Sequence, residues 1–167
     1  MFSRQARTAA SATVKICSGK LDKGDAYFAK QLSQTQFLVL RRAKTEPRGI
    51  VVGRGGFDDH FVDGGEYLCA ACETPLYKAE MKFDCGCGWP GFWTNIKDSV
   101  CERDDKDGSG RIEIVCSACS SHLGHLFRGE GFGNPEPNER HCVNSVSLKF
   151  KARDGQITQC TYSGPVY

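Results

Sequence analysis

Apolar residues change their spacing along the chain, from a helical pattern near the N-terminus to short runs separated by turns. From about Asp25, the side chains of Tyr27, Phe28 and Leu32 can share one face of a helix. Residues 53–65 end this region, because their five glycines and three aspartates are typical of a loop. The pattern therefore predicts short helices confined to the N-terminal third.

A second helix has one sequence signal for its start and another for its end. Ser33 and Gln36 have the spacing of a capping box, in which each side chain bonds to the backbone amide of the other residue. The apolar run over residues 37–40 follows at once. Because the residue before a proline avoids the helical conformation, this helix should end before Pro47.

Short apolar runs in the rest of the chain predict strands. They lie at residues 66–69, 82–85, 111–116, 145–150 and 156–161. Residues 104–110 predict an exposed hairpin-like loop, and the three glycines and two prolines of residues 129–138 predict an irregular segment. The expected fold is mainly β and forms a single domain.

The charge balance argues against a nucleic-acid partner. The chain has 22 basic and 20 acidic residues among 167, a formal net charge of +2, whereas nucleic-acid-binding proteins usually carry a clustered basic face. No apolar run approaches the roughly 20 residues that a membrane-spanning helix needs. We therefore expect neither a nucleic acid nor a membrane among the partners, and we expect a monomer.

Residues 2–20 differ in composition from the rest of the chain. They carry four basic residues and several small polar ones, and no acid precedes Asp22. This composition is typical of a mitochondrial transit peptide, with a disordered basic tail as the alternative. We therefore divide the chain into an N-terminal segment, 1–24, and a domain, 25–167, and expect a mitochondrial location, with a cytoplasmic one as the alternative.

Four of the ten cysteines form two C-x-x-C pairs, Cys69 with Cys72 and Cys116 with Cys119. Each pair places two thiolates on one tight turn, and two such turns supply the four ligands of a tetrahedral zinc site. Four sulfur ligands leave no open position for a substrate, so the predicted zinc is structural. A lone pair could be a redox motif or a chance occurrence, but two pairs favour zinc.

Cys142 is a candidate nucleophile because potential cations precede it. A thiol becomes a good nucleophile at neutral pH when a nearby cation lowers its pKa from about 8.5. In a strand, Arg140 would share a face with Cys142, whereas His141 would point away. The alternative is an unreactive cysteine buried at a strand edge.

Residues 85–90, with the sequence CGCGWP, form a glycine-rich loop that carries two thiols and an indole. Such a loop can bring a second thiol to an oxidised first one, as a resolving cysteine must do. It can equally be a turn whose cysteines have no redox role, with Trp89 in the core. His122 and His125 could protonate a substrate oxygen or form a hydrogen-bonded pair without a catalytic role.

Three blocks of the sequence resemble the signatures of the B-type methionine sulfoxide reductases. They are Cys87-Gly88-Trp89-Pro90 with Phe92, Ser121-His122-Leu123-Gly124-His125-Leu126-Phe127, and Arg140-His141-Cys142-Val143-Asn144-Ser145. Two segments that precede these blocks resemble the same family. They are Thr45-Glu46-Pro47 and Tyr67-Leu68-Cys69-Ala70-Ala71-Cys72. The resemblance extends from about residue 25 to residue 151.

The resemblance implies antiparallel sheets with an N-terminal helical segment, and an enzyme that reduces the R epimer of methionine sulfoxide. The substrate would be oxidised methionine in proteins, with the free amino acid as an open alternative. Cys142 would attack the sulfoxide sulfur, Cys87 would resolve the sulfenic acid as a disulfide, and thioredoxin or a similar dithiol would reopen that disulfide. Trp89 would contact the substrate methyl group, and the polar side of the pocket would contain His122, His125, Arg140 and Asn144.

The sequence departs from the family pattern at several positions. Cys85 stands where relatives usually have serine, which gives the loop a second candidate resolving thiol. His141 stands where relatives usually have an aromatic residue. Asn138 and Glu139 replace a commoner glycine-containing pair, and the acid expected soon after His125 is met only by Glu130.

Two other functions fit part of the sequence. A zinc module that binds protein partners would explain both C-x-x-C pairs but would leave Cys142 and the loop over residues 85–90 without a role. A general disulfide oxidoreductase would need its reactive pair in one C-x-x-C near a helix start, whereas both pairs here have the features of zinc ligands. The sequence assigns no role to Cys17, Cys101 or Cys160.

Overall fold

A computed structural model describes residues 17–105 and 108–167 and shows a mainly β protein with two short helices. The helices are α1 (Asp25–Gln31) and α2 (Gln34–Arg42). The strands are β1 (Glu66–Cys69), β2 (Pro75–Lys78), β3 (Lys82–Phe83), β4 (Gly91–Phe92), β5 (Val100–Asp104), β6 (Ile112–Cys116), β7 (His122–Arg128), β8 (Glu139–Val143), β9 (Leu148–Lys151) and β10 (Ile157–Gln159). The predicted fold class is confirmed.

The strands form two antiparallel sheets that share a core. One sheet has the order β10-β9-β1-β2, and the other has the order β3-β4-β8-β7-β6-β5. Tyr77 of β2 stacks on Phe92 of β4 with ring centroids 4.1 Å apart, and Tyr67 of β1 meets the same ring edge-on at 5.1 Å. All three side chains are fully buried, so these aromatic contacts join the two sheets.

The helices follow the sequence signals closely. Ser33 caps α2, and the capping box with Gln36 is present with both hydrogen bonds. The helix stops at Arg42, well before Pro47, and Ala43 closes it in the left-handed conformation with φ of 52°. Phe28 of α1 and Val39 of α2 are buried in the core. The two predicted helices are therefore confirmed.

The strand predictions succeed at some positions and fail at others. The strands predicted at residues 66–69 and 111–116 are present as β1 and β6. The run at residues 82–85 is a strand only in its first half, because Gly86 and Gly88 turn the chain with positive φ. Strand β7 was not predicted, because its two histidines and central glycine obscure the alternation of apolar residues.

The run at residues 145–150 was predicted as one strand, and this is wrong for its first half. Residues Ser145–Ser147 form a short 3-10 turn, and only β9 is extended. The Glu46 carboxylate accepts hydrogen bonds from the amides of Ser145 and Val146, at 2.6 and 2.8 Å. These amides are consequently not available to a strand ladder.

Residues 1–16 of the predicted targeting segment lie outside the described residues. Of its described part, Gly19 and Leu21 donate backbone hydrogen bonds to Ser117 and Ala118 in the turn of the second cysteine pair. The mitochondrial location and the boundary at residue 25 stay predictions. Among the described residues, no helix has the length and apolar character that crossing a membrane requires.

Candidate active site and metal centre

The two C-x-x-C pairs meet in space, although they lie far apart in sequence. One pair begins at the last residue of β1, and the other begins at the last residue of β6 and continues into the turn before β7. The four sulfur atoms of Cys69, Cys72, Cys116 and Cys119 all lie within 4.8 Å of one another. Their spacing includes 3.6 Å from Cys69 to Cys119 and 3.6 Å from Cys72 to Cys116.

This cluster fits a zinc ion. A tetrahedral zinc with bonds of about 2.3 Å to sulfur has sulfur–sulfur edges of about 3.8 Å, close to the separations found here. Hydroxyl groups lie against two of the sulfurs, Thr74 Oγ1 at 3.1 Å from Cys72 and Ser121 Oγ at 3.2 Å from Cys119. Such outer contacts are typical of metal-bound sulfur.

Cys142 lies in the middle of the six-stranded sheet. It pairs with Gly91 of β4 on one side and with His125 of β7 on the other. Because residues directly opposite on neighbouring strands share a face, the side chains of Cys142 and His125 point to the same side of the sheet.

A small cavity of about 110 Å³ opens beside Cys142. Its lining includes Thr45, Trp89, His125, Phe127, Cys142 and Asn144. The cavity thus combines a thiol, two aromatic rings and an imidazole, and it contains four of the residues that the sequence singled out. Cys87, His122 and Arg140 lie outside this lining.

Cys87 reaches Cys142 from the loop between β3 and β4. The sulfur atoms of Cys87 and Cys142 are 3.7 Å apart, and Cys85 Sγ lies 2.8 Å from Cys87 Sγ. Hydrogen bonds from the thiols of Cys142 and Cys85 lower the pKa of Cys87 to about 2. The same contact with Cys87, together with burial, raises the pKa of Cys142, while the charge of Arg140 lowers it. The contact therefore couples the two thiols, so that a negative charge on one sulfur is stabilised by a hydrogen bond from the other.

Arg140 lies on the same face as Cys142, as the alternation of a strand requires. Its guanidinium donates two hydrogen bonds to Glu130, at 2.6 and 2.7 Å, and covers the Phe127 ring at 4.2 Å. Arg140 is therefore a fixed positive charge near the thiols rather than a part of the cavity wall. His141 points to the opposite face, where its Nδ1 lies 3.2 Å from the buried Tyr77 hydroxyl.

The two histidines have different surroundings. His125 Nε2 lies 2.6 Å from Asp105 Oδ2. Burial lowers the pKa of His125, although the hydrogen bond with Asp105 acts in the opposite direction. His122 is fully buried behind it, with its Nδ1 2.7 Å from Glu113 Oε1. The carboxylate partner of His125 thus comes from the end of β5, while Glu130 pairs with Arg140.

Comparisons with known proteins agree with this geometry. A family model described as the SelR domain matches residues 32–152. The chain is 52% identical over 119 residues to "Peptide methionine sulfoxide reductase B2, chloroplastic" of Arabidopsis thaliana. It is 50% identical over 119 residues to "Peptide methionine sulfoxide reductase B5" of the same plant. This chain belongs to the B-type methionine sulfoxide reductase family.

The family match covers most of the chain, but only part of some relatives. Each of these two alignments covers 71% of this chain, with 55% of the B2 protein and 81% of the B5 protein. The chain is also 48% identical over 132 residues to the chloroplastic B3 protein of Oryza sativa subsp. japonica, covering 79% of this chain and 55% of that protein. The chain thus spans about half the length of both chloroplastic relatives.

A solved structure shows only a distant likeness. The crystal structure of the Mis18 "Yippee-like" domain is 10% identical, with a TM-score of 0.38, and the match covers 53% of this chain and 95% of that one. So weak a likeness carries no argument about this reductase-family chain.

Glu46 is a residue next to the cavity whose role the sequence did not indicate in this member of the B-type family. Its carboxylate is buried against the turn that follows Cys142. Its backbone amide donates to Asn144 Oδ1 at 3.0 Å, and its carbonyl accepts from Trp89 Nε1 at 3.2 Å. Burial raises the pKa of Glu46 to about 7. Glu46 therefore positions two cavity residues at once, and its only sequence signal is the resemblance of residues 45–47.

Proposed function

We propose that this chain reduces the R epimer of protein-bound methionine sulfoxide, with Cys142 as nucleophile. The observation that carries this proposal is the placement of the Cys142 thiol in the wall of a cavity beside Trp89 and His125, with the Cys87 sulfur 3.7 Å away. Trp89 offers an apolar surface for the methyl group of the substrate. His125 offers a proton-transferring group on the same face of the sheet.

The first step transfers the sulfoxide oxygen to Cys142. The sulfur of Cys142 attacks the sulfoxide sulfur, and the proton of the Cys142 thiol passes to the sulfoxide oxygen. His125 carries this proton, because it is the imidazole that faces the cavity and Asp105 orients its ring. The hydroxyl group then moves from the substrate sulfur to Cys142 Sγ. As the substrate S–O bond and the new S–S bond break, methionine leaves with the electron pair and Cys142 remains as a sulfenic acid.

The second step releases water and forms a disulfide. The Cys87 thiolate attacks the sulfur of the Cys142 sulfenic acid, and the departing hydroxide takes up a proton. The 3.7 Å separation of the two sulfurs supports this role, because Cys87 needs only a small movement to reach Cys142. The Cys142–Cys87 disulfide is then reduced by thioredoxin or a similar dithiol through thiol–disulfide exchange.

Supporting residues hold these groups in place. Arg140 supplies a positive charge that favours thiolates at Cys87 and Cys142. Glu113 fixes the ring of His122, and Asn144 links the nucleophile's turn to Leu123 and Glu46. A zinc ion held by Cys69, Cys72, Cys116 and Cys119 would supply a structural cross-link between β1 and the β6–β7 turn.

Turnover of the separated R and S epimers of a blocked methionine sulfoxide, with dithiothreitol as reductant, tests this function. We expect reduction of the R epimer by the zinc-loaded protein and none by Cys142→Ser. Reduction of the S epimer would contradict the assigned stereochemistry. Absence of turnover on both epimers would favour the alternative of a zinc module that binds partners, for which we would expect a Cys142 inert to alkylation.

A further inference from the structure

A third thiol extends the reactive pair. Cys85 Sγ lies 2.8 Å from Cys87 Sγ, which in turn lies 3.7 Å from Cys142 Sγ. Within the described part of the chain, the four predicted zinc ligands are the one group of three or more His, Cys, Asp or Glu side chains placed to hold a metal ion. Cys85, Cys87 and Cys142 therefore form an open row with Cys87 in the middle, rather than a closed metal cage.

The protein holds Cys85 in this position from two sides. Arg48 donates from Nη2 to the Gly86 carbonyl at 2.7 Å, and the Gly49 amide donates to the Gly88 carbonyl at 2.7 Å. On the other side, a Cβ on Gly91 would lie only 2.7 Å from Cys85 Sγ. The lack of a side chain at Gly91 thus leaves the space that the Cys85 sulfur occupies.

The row of three sulfur atoms runs from Cys142 in the cavity wall to Cys85 outside it. Cys142 forms part of the cavity wall, whereas Cys85 lies outside the lining. The neighbours of Cys85 in the loop, Asp84 and Gly86, are exposed. Cys85 and Cys87 themselves are half-buried. A disulfide between them would lie in this partly exposed loop, outside the cavity lining, and would restore the free Cys142 thiol in the cavity wall.

We propose that Cys85 is a second resolving thiol that moves the disulfide from the cavity to the loop, an inference that rests on the proposed function. The Cys85 thiolate attacks Cys87 Sγ of the Cys142–Cys87 disulfide. The Cys85–Cys87 bond forms as the Cys87–Cys142 bond breaks, and Cys142 leaves with the electron pair. Cys142 takes up the proton that Cys85 lost, so the exchange needs no further oxidant or reductant.

The exchange by Cys85 raises the number of methionines that each chain can form when no external reductant is present. Once Cys142 is free again, it can attack a second sulfoxide and end as a sulfenic acid while Cys85 and Cys87 remain linked. Each chain would then form two methionines before an external dithiol acts. Without Cys85, the Cys142–Cys87 disulfide is the end point, and each chain forms one methionine.

The test is a burst experiment with excess blocked methionine-R-sulfoxide and fully reduced, zinc-loaded protein, without reductant. We expect two equivalents of methionine per chain for the wild type and one for Cys85→Ser and Cys85→Ala. Cys17→Ser is the matched control, because Cys17 is a half-buried thiol outside the row, and it should give two. Circular dichroism and zinc content check the fold of each variant.

Peptide mapping after one equivalent of substrate, alkylation and trypsin gives an independent readout. Cleavage after Lys82 and Lys97 leaves Cys85 and Cys87 on the peptide of residues 83–97, and Cys142 lies on residues 141–149. We expect an internal disulfide in the first peptide and an alkylated Cys142 in the second. In Cys85→Ser, the two peptides should be cross-linked.

The outcomes distinguish a failure of the disulfide exchange by Cys85, here called the relay, from a failure of the proposed reductase function. One equivalent from the wild type, with only the Cys142–Cys87 cross-link, would overturn the relay and leave the proposed function intact. Two equivalents from both the wild type and Cys85→Ser would also overturn it, because the second pair of electrons would not come from Cys85. No methionine from any of these proteins would overturn the proposed function, and the relay with it.

Discussion

The sulfur of Cys87 lies 3.7 Å from the sulfur of Cys142, although the first residue belongs to the loop after β3 and the second to strand β8. The distance is short enough for a disulfide to form with a small movement of the loop. The pair can therefore act as resolving and attacking thiols without a rearrangement of the sheet.

Replacing Cys87 should separate the first step from recycling. We expect Cys87→Ser to form methionine in the first turnover, but to slow steady-state turnover with thioredoxin by roughly tenfold or more, since a neighbouring thiol reacts far faster than an intermolecular one. Rapid-quench and steady-state assays measure the two rates, with Cys17→Ser as the control. An unchanged steady-state rate would exclude Cys87 as the resolving thiol.

Glu46 should make the stability of the protein depend on pH. Burial raises its pKa from 4.5 to about 7, so the folded state holds a proton that the unfolded state has lost. The contribution of Glu46 to the free energy of unfolding is therefore greatest below pH 4.5. It falls by up to about 3 kcal/mol as the pH rises towards 7. We expect Glu46→Gln to remove this slope in urea unfolding between pH 4.5 and 7.5.

Exposed Glu80 provides the control for this experiment. Glu80→Gln removes a carboxylate of the same chemistry from the surface and should leave the pH dependence of the wild type unchanged. The assignment to Glu46 would be refuted by a Glu46→Gln profile parallel to that of the wild type.

Asp105 should influence the proton transfer through His125. Its hydrogen bond to Nε2 raises the pKa of His125 against the lowering by burial. Asp105→Asn should therefore lower the pKa of His125 further and move the acidic limb of kcat/KM to lower pH. The pH profile on the R epimer measures this shift. Asp104→Asn, a neighbouring exposed change, should not move the limb, and an unmoved limb in Asp105→Asn would argue against His125 as the proton carrier.

Loss of one ligand should release zinc and destabilise the whole fold, because the cluster joins β1 to the β6–β7 turn. For Cys72→Ser we expect a zinc content near zero and a loss of about 4 kcal/mol or more, which is beyond the usual effect of one substitution. In a domain of this size such a loss lowers Tm by roughly 8–16 °C. Metal analysis and thermal unfolding measure both effects. Full stability without zinc would contradict a structural role.

Sequence reasoning succeeded where the determining contacts are local or where a pattern is repeated. The capping box of Ser33 and Gln36 involves residues three positions apart, and the helix cap forms as predicted. The spacing of the paired cysteines indicated the metal cluster, and the alternation of a strand correctly placed Arg140 on the face of Cys142. The residues of the three signature blocks also come together around one sheet.

The failures share a physical cause, since each depends on a contact between distant parts of the chain. Residues 145–147 form a 3-10 turn rather than a strand, and two of their amides bind Glu46, about one hundred positions away. Asp105, rather than an acid following His125, pairs with that histidine because β5, β6 and β7 lie side by side. Periodicity along the chain holds no information about such pairings.

Chemical trapping of the first intermediate tests the role of Cys142 most directly. In a Cys85→Ser/Cys87→Ser double variant, no thiol of the row remains to resolve the oxidised Cys142. One turnover with blocked methionine-R-sulfoxide in the presence of dimedone should give one equivalent of methionine and one dimedone adduct, located on the peptide of residues 141–149. Methionine formation without an adduct on Cys142, or with the adduct on another cysteine, would contradict the assignment of Cys142 as the nucleophile.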